Sequence, residues 1–252
     1  MGTLYSKLIL VLGILLIIPP LQAQETEVMV RVRSKDAKFI GSSIGGARII
    51  IKNAETGELL ASGMTSGSTG DTRLIMQQPH SRHERLTDEN TAGFLAKLNL
   101  EAPVFVTVEA IAPYNKKQAR VTSSTQLWLL PGKDITGDGL VLEVPGFVVD
   151  ILSPQTHERI SSENVEIKAN VVMMCGCPIT PGGIWDADQY EITAVLSSEG
   201  REVKELQLKA GEKPSTFSTE TTLEPGMYEL LIYAYDSMSG NTGVDQLNFI
   251  VK

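Results

Sequence analysis

The stretch LEPGMYELLIYAY, residues 223–235, decides the fold. Pro225 and Gly226 punctuate the chain, and beyond Tyr228 the apolar residues Leu230, Ile232 and Ala234 fall on alternate positions. A period of two gives one apolar face on a strand, whereas a helix would repeat every three to four residues. The same period recurs outward from this run. Leu247, Phe249 and Val251 follow it, and Leu206 with Leu208 precede it, as do Ile192, Ala194 and Leu196. Earlier still come Val165, Ile167, Ala169, Val171 and Met173, and the series opens with Val148 and Ile151 behind Pro145-Gly146.

On the other side of Pro145-Gly146 the pattern is again that of strands. Val28, Val30 and Val32 alternate, as do Ala47, Ile49 and Ile51, closed by Asn53 and the Thr56-Gly57 turn. Phe94, Ala96, Leu98 and Leu100 form another run, then Val104, Val106, Val108 and Ala110, then Leu127 with Leu129 and the segment Leu140 to Val144. No window keeps a helical apolar period. Residues 77–93, QQPHSRHERLTDENTAG, interrupt this half without an apolar face and read as a long surface loop.

Short strands broken by Gly, Pro and Asn point to sandwiches. The second half resembles fibronectin type III and bacterial Ig-like domains, on Leu223-Glu224-Pro225-Gly226-Met227-Tyr228 and on the hairpin segment Ser239 to Gly243. That resemblance implies a tyrosine corner, in which the Tyr228 hydroxyl returns to nearby backbone. The first half resembles carboxypeptidase-regulatory-like (CNA-B-like) domains, on Gly46 to Ile51, Thr56-Gly57-Glu58, Ala61 to Thr65 and Gly70. Both resemblances imply a stalk, spacer or binding module. The expectation is an all-β chain: a signal peptide over 1–23, one β-sandwich over 24–146, and an Ig-like/fibronectin-III-like β-sandwich over 147–252.

The address rests on the first 23 residues. Lys7 precedes an apolar run from Leu8 to Ile18, Pro19-Pro20 ends it, and Ala23 stands at a cleavage position. The run is too short to anchor the chain across a bilayer, which needs ~20 residues. A periplasmic or secreted location follows, with no membrane span in the mature chain. Among 252 residues, 22 Lys+Arg stand against 30 Asp+Glu, a net charge of −8. An acidic chain is poorly suited to nucleic-acid phosphates. A hydrophobic fraction of 42% with 21% charged residues excludes a disordered polymer.

Chemistry concentrates in Val172-Met173-Met174-Cys175-Gly176-Cys177-Pro178, which holds both cysteines of the protein. If the strand through Met173 stays extended, Met173, Cys175 and Cys177 share a face, with Met174 beside them. Soft sulfur ligands gathered so closely suit Cu(I). The same alternation makes Met173 and Cys175 a continuation of the core stripe. A third reading is a Cys175–Cys177 disulfide, for which extended Cα atoms about 6.6 Å apart lie at the edge of the allowed geometry. Gly176 would permit the turn that brings them closer.

Trp185 and Asp186, in the following Pro/Gly loop, are placed on a candidate binding surface together with His80 and His83 of the polar interruption. Asp134 to Gly139 resembles the start of an EF-hand calcium loop, but Pro145 stands where the bidentate Glu belongs, so an ordinary Asp/Gly turn is expected. Three functions emerge. One is a non-catalytic binding or structural accessory of the cell envelope, with a protein partner. The second is a periplasmic copper-binding protein, and the third a thiol–disulfide oxidoreductase using Cys-Gly-Cys.

Overall fold

The computed structural model describes residues 22–252, so most of the expected signal segment, residues 1–21, lies outside the described residues. The chain is all-β and forms two tandem sandwiches. The first contains β1 (Gln24–Ser34), β2 (Arg48–Asn53), β3 (Leu59–Met64), β4 (Phe94–Leu100), β5 (Val104–Ala112), β6 (Val121–Leu129) and β7 (Ile135–Val144). Its sheets run β4-β1-β7 and β3-β2-β5-β6. Strand β1 pairs antiparallel with β4 and parallel with β7. Val28, Val30 and Val32 of one sheet face Ile49, Ile51, Val106 and Val108 of the other, all buried in one core.

The second contains β8 (Phe147–Ser153), β9 (Arg159–Ile160), β10 (Asn164–Met173), β11 (Glu191–Ser198), β12 (Arg201–Gln207), β13 (Lys209–Ala210), β14 (Thr216–Thr222), β15 (Gly226–Tyr235) and β16 (Thr242–Val251). The sheets are β13-β14-β10-β8 and β12-β11-β15-β16-β9. This is the order of an Ig-like sandwich. With the two-residue β9 and β13 set aside, strands one, two and five of the series, β8, β10 and β14, share one sheet, and β11, β12, β15 and β16 make the other. Alternate residues of β10, β11, β15 and β16 fill its core. At the start of β15 the Tyr228 hydroxyl donates to the Glu224 carbonyl oxygen at 3.0 Å, and its ring stacks on Phe249 with centroids 5.6 Å apart. The tyrosine corner implied by residues 223–228 is present.

One wide helical turn, Arg73–Gln77, leads into the polar interruption of the first sandwich, residues 77–93, which runs on as irregular backbone. It is held down by charge. Arg31, 3% exposed, donates from its guanidinium to the carbonyls of Thr91 and Ala92. Burial lowers its pKa first, and the neighbouring Arg85 adds to that. Asp138 accepts from the backbone amides of Leu86 and Thr87, both at 3.0 Å, and from the Thr87 hydroxyl at 2.6 Å.

Candidate functional site

Strand β10 does not run on through the cysteines. It ends at Met173, and the chain turns back so that Met173 N donates to Cys177 O at 3.1 Å and Gly176 N to Met173 O at 2.7 Å. Gly176 takes a φ of +77°, a left-handed conformation that other residues adopt only with strain. The turn draws the Cα atoms of Cys175 and Cys177 to 5.4 Å, and their sulfurs are bonded to each other. Of the readings open for residues 173–177, this is the turned, disulfide-bonded one and not the extended strand. Cys175 and Cys177 are 1% and 4% exposed and pack with Met173 in the second core.

Met174 goes the other way. It is buried in the core of the first sandwich, together with Val148 of β8. A set of four sulfurs gathered from 173, 174, 175 and 177 is therefore not what the fold presents. The exchange is mutual, because Ala37 of the first half lies in the second core and Met76 packs against it. The Cys-Gly-Cys turn also abuts the first half directly: a Cβ placed on Gly176 would sit 3.4 Å from the Ile44 side chain.

Polar groups complete this joint. The buried Asn241 accepts at Oδ1 from Gly146 N at 2.8 Å and donates from Nδ2 to Lys35 O at 3.1 Å. Gly146, at φ +122°, lies so close to β16 that a Cβ there would meet Thr242 O at 2.8 Å. Lys116 pairs with Asp150 at 2.7 Å, and the Gln118 amide donates to Val149 O and to Asp150 Oδ1. Trp185 belongs here too. Its indole N–H donates to Asp36 O at 2.9 Å and its ring is 5% exposed within the second core.

Trp185 is therefore corrected from surface anchor to buried pin, because both its apolar body and its single donor are satisfied inside. Asp186 is half-buried and structural, accepting from the amides of Gly182 at 2.9 Å and Asp188 at 3.2 Å. His80 and His83 are exposed in the polar interruption. Asp134 accepts from Glu27 N at 2.8 Å, so both Asp134 and Asp138 are occupied in holding backbone, as an Asp/Gly turn would have it. Among the described residues, no three His, Cys, Asp or Glu side chains converge as a metal-holding group.

What the joint does create is a cleft of about 460 Å³ between the sandwiches. Val121 and Arg120 line it from the first half, and Phe147, Met174, Tyr235 and Val244 from the second. The Arg120 guanidinium lies 4.7 Å from the centre of the Tyr114 ring and donates to the Tyr114 carbonyl. Apolar walls with one cation suit an apolar group that carries a negative end. Tyr190 borders the same joint, edge-on to Phe147 at 5.2 Å. Its phenol is pushed up to about 12 by burial first and then by the charges of Asp236, Asp36 and Asp186.

No family model and no curated protein matches this sequence. Solved structures do. An engineered protein shares 19% identity over 49% of this chain and 24% of its own length, with a TM-score of 0.33. The fibronectin(III)-like modules of Clostridium thermocellum CbhA share 13% over 91% of this chain and 94% of theirs, with a TM-score of 0.29. Dpr2 Ig1-Ig2, solved in complex with DIP-Theta Ig1-Ig3, shares 8% over 90% of this chain and 99% of that one, with a TM-score of 0.30.

Proposed function

We propose that the protein is an exported, non-catalytic accessory of the cell envelope that binds a partner protein in the cleft between its two sandwiches. The observation that carries this reading is the cleft itself. Its floor and walls come from both halves, and the buried contacts at Met174, Val148 and Asn241 hold those halves in one arrangement. A preformed apolar recess with one cation at its wall is suited to a binding module. The export pattern around Lys7 and Ala23 supports the envelope setting, as does a disulfide, since such bonds persist in oxidising compartments. The carboxypeptidase-regulatory-like pattern at Gly46 to Ile51 supports a module of the same kind in the first half.

The test places a photo-crosslinking benzoylphenylalanine at Val244 of the cleft and, as control, at the exposed Val203 on β12, in the full chain expressed in its own host. The reading expects a discrete crosslinked protein at 244 that is absent at 203, in a mature chain whose mass begins at Gln24. Crosslinks at 203 and none at 244 would overturn the cleft. An unprocessed chain retained inside the cell would overturn export.

A further inference from the structure

Sheets recognise extended chains through edge strands whose backbone groups are unpaired. Most edges of these two sandwiches are closed to that use. Edge β4 carries Lys97, and β7 carries Asp138 and Glu143 and has an irregular register against β1. Four of the seven residues of β12 are charged, Arg201, Glu202, Lys204 and Glu205. The outer edge of β8 is taken by side chains: Gln118 donates to Val149 O, and Asp245 accepts from Ile151 N at 2.9 Å. Strands β9 and β13 are two residues long, and β3 is a short strand containing Gly63.

Edge β6 is different. It is nine residues, VTSSTQLWL, with no charge, no glycine and no proline. Pairing with β5 runs from Val104↔Leu129 to Ala112↔Val121, and among the described residues no strand is hydrogen-bonded to its other edge. Its outward side chains Thr122, Ser124, Gln126 and Trp128 are exposed. Trp128, 59% exposed, rests against Phe105 with centroids 5.2 Å apart, so the strand offers an apolar contact at its far end.

The near end of β6 enters the cleft, where Val121 and Arg120 line the wall. Arg120 is exposed there, Lys117 is exposed in the turn that precedes β6, and neither has an acidic partner among the described residues. A strand added antiparallel to β6 ends beside Arg120, so its C-terminal carboxylate meets that guanidinium and its last side chain meets the apolar walls.

We propose that β6 receives the C-terminal tail of a partner protein as an added antiparallel strand, ending in an apolar residue seated in the cleft with its carboxylate at Arg120. The inference rests on the cleft reading and adds to it the class and direction of the ligand. Main-chain pairing supplies affinity, and alternate side chains over Trp128 and in the cleft supply selectivity.

The probe is a fluorescein-labelled nonapeptide, Thr-Val-Thr-Val-Thr-Val-Thr-Val-Phe, with a free carboxylate, compared with its C-terminal amide by anisotropy on the full chain. The acid should bind at least tenfold more tightly than the amide, and Arg120→Ala should bring the two within about twofold. Neighbouring amides on β6 face opposite edges, so of Ser124→Pro and Thr125→Pro one breaks the pairing with β5 and the other blocks only the open edge. The variant that keeps the native melt should lose at least tenfold in peptide affinity. Hydrogen exchange on the native chain needs no variant and should show new protection over residues 121–129 with the acid probe. Acid and amide binding equally, no binding, or protection unchanged over 121–129 would each overturn the inference. N-acetylphenylalanine separates the two readings. If its NMR shifts fall on Tyr235 and Val244 while the peptide gains nothing over it, the cleft stands and strand addition fails; if neither compound perturbs those residues, the cleft reading fails as well. A chain that dimerises through β6 and ignores the peptide would overturn the inference in favour of a second copy.

Discussion

Met173 and Met174 are consecutive in the chain and are buried in different cores, Met173 in the second sandwich and Met174 in the first. The turn at Cys175-Gly176-Cys177 is what lets one segment serve both. It ends β10, returns the backbone to pair with itself, and leaves Met174 pointing across the joint. The densest run of sulfur in the sequence is thereby the element that welds two sandwiches into one body with a cleft between them.

Met174→Ala should cost about 2–5 kcal/mol, the usual range for emptying a buried Met site. The loss should appear in the melting of the whole chain, since Met174 belongs to one core and is tethered to the other. Chemical denaturation followed by tryptophan fluorescence, with Trp185 at the joint, measures it. A change below about 0.5 kcal/mol would place Met174 outside any real packing.

Both cysteines are bonded to each other and buried, so the folded protein should give no titratable thiol and should resist mild reductants until it opens. Thiol counting with and without denaturant tests this. Free thiols in the native state would contradict the structure and leave Cys175 and Cys177 available as ligands for Cu(I).

Tyr228→Phe removes the hydroxyl that donates to Glu224 O and should cost about 1 kcal/mol. The stacking on Phe249 is kept, so the variant should stay folded. Equilibrium urea unfolding reads the difference, and no difference would show the corner to be ornamental.

Tyr190 gives a pH signature. Its folded pKa, about 12, stands above the ordinary 10, so the native state holds the proton over that window while the unfolded chain releases it. Stability should therefore fall as pH rises from 10 toward about 12, by roughly 2–3 kcal/mol from this group alone. Tyr190→Phe should lack that share of the fall. Urea midpoints at pH 8, 10 and 11 test it, and parallel curves for the two proteins would contradict it.

Much of the fold was legible in the strand period. Val28 to Val32, Val104 to Ala110 and Leu230 to Ala234 each put aliphatic residues on alternate positions, and burial follows that alternation. Strand β14 was not legible. Its seven residues, TFSTETT, hold one large apolar side chain, Phe217, and its inward Thr221 is satisfied by Lys204 Nζ at 2.6 Å, a partner that no local pattern announces. Trp185 was misread for a related reason, since the indole acceptor is a backbone oxygen at Asp36, 149 positions away. The cleft left no trace at all, because Arg120, Phe147, Met174, Tyr235 and Val244 meet only after both sandwiches have formed.

The two sandwiches behave as one body because their cores interlock at Met174, Val148 and Ala37. Scanning calorimetry of the chain from Gln24 to Lys252 tests it most directly. Interlocked cores should melt in a single transition whose calorimetric and van't Hoff enthalpies agree, and which moves as a whole to lower temperature in Met174→Ala. Two resolved transitions, with only one of them shifted by Met174→Ala, would contradict it.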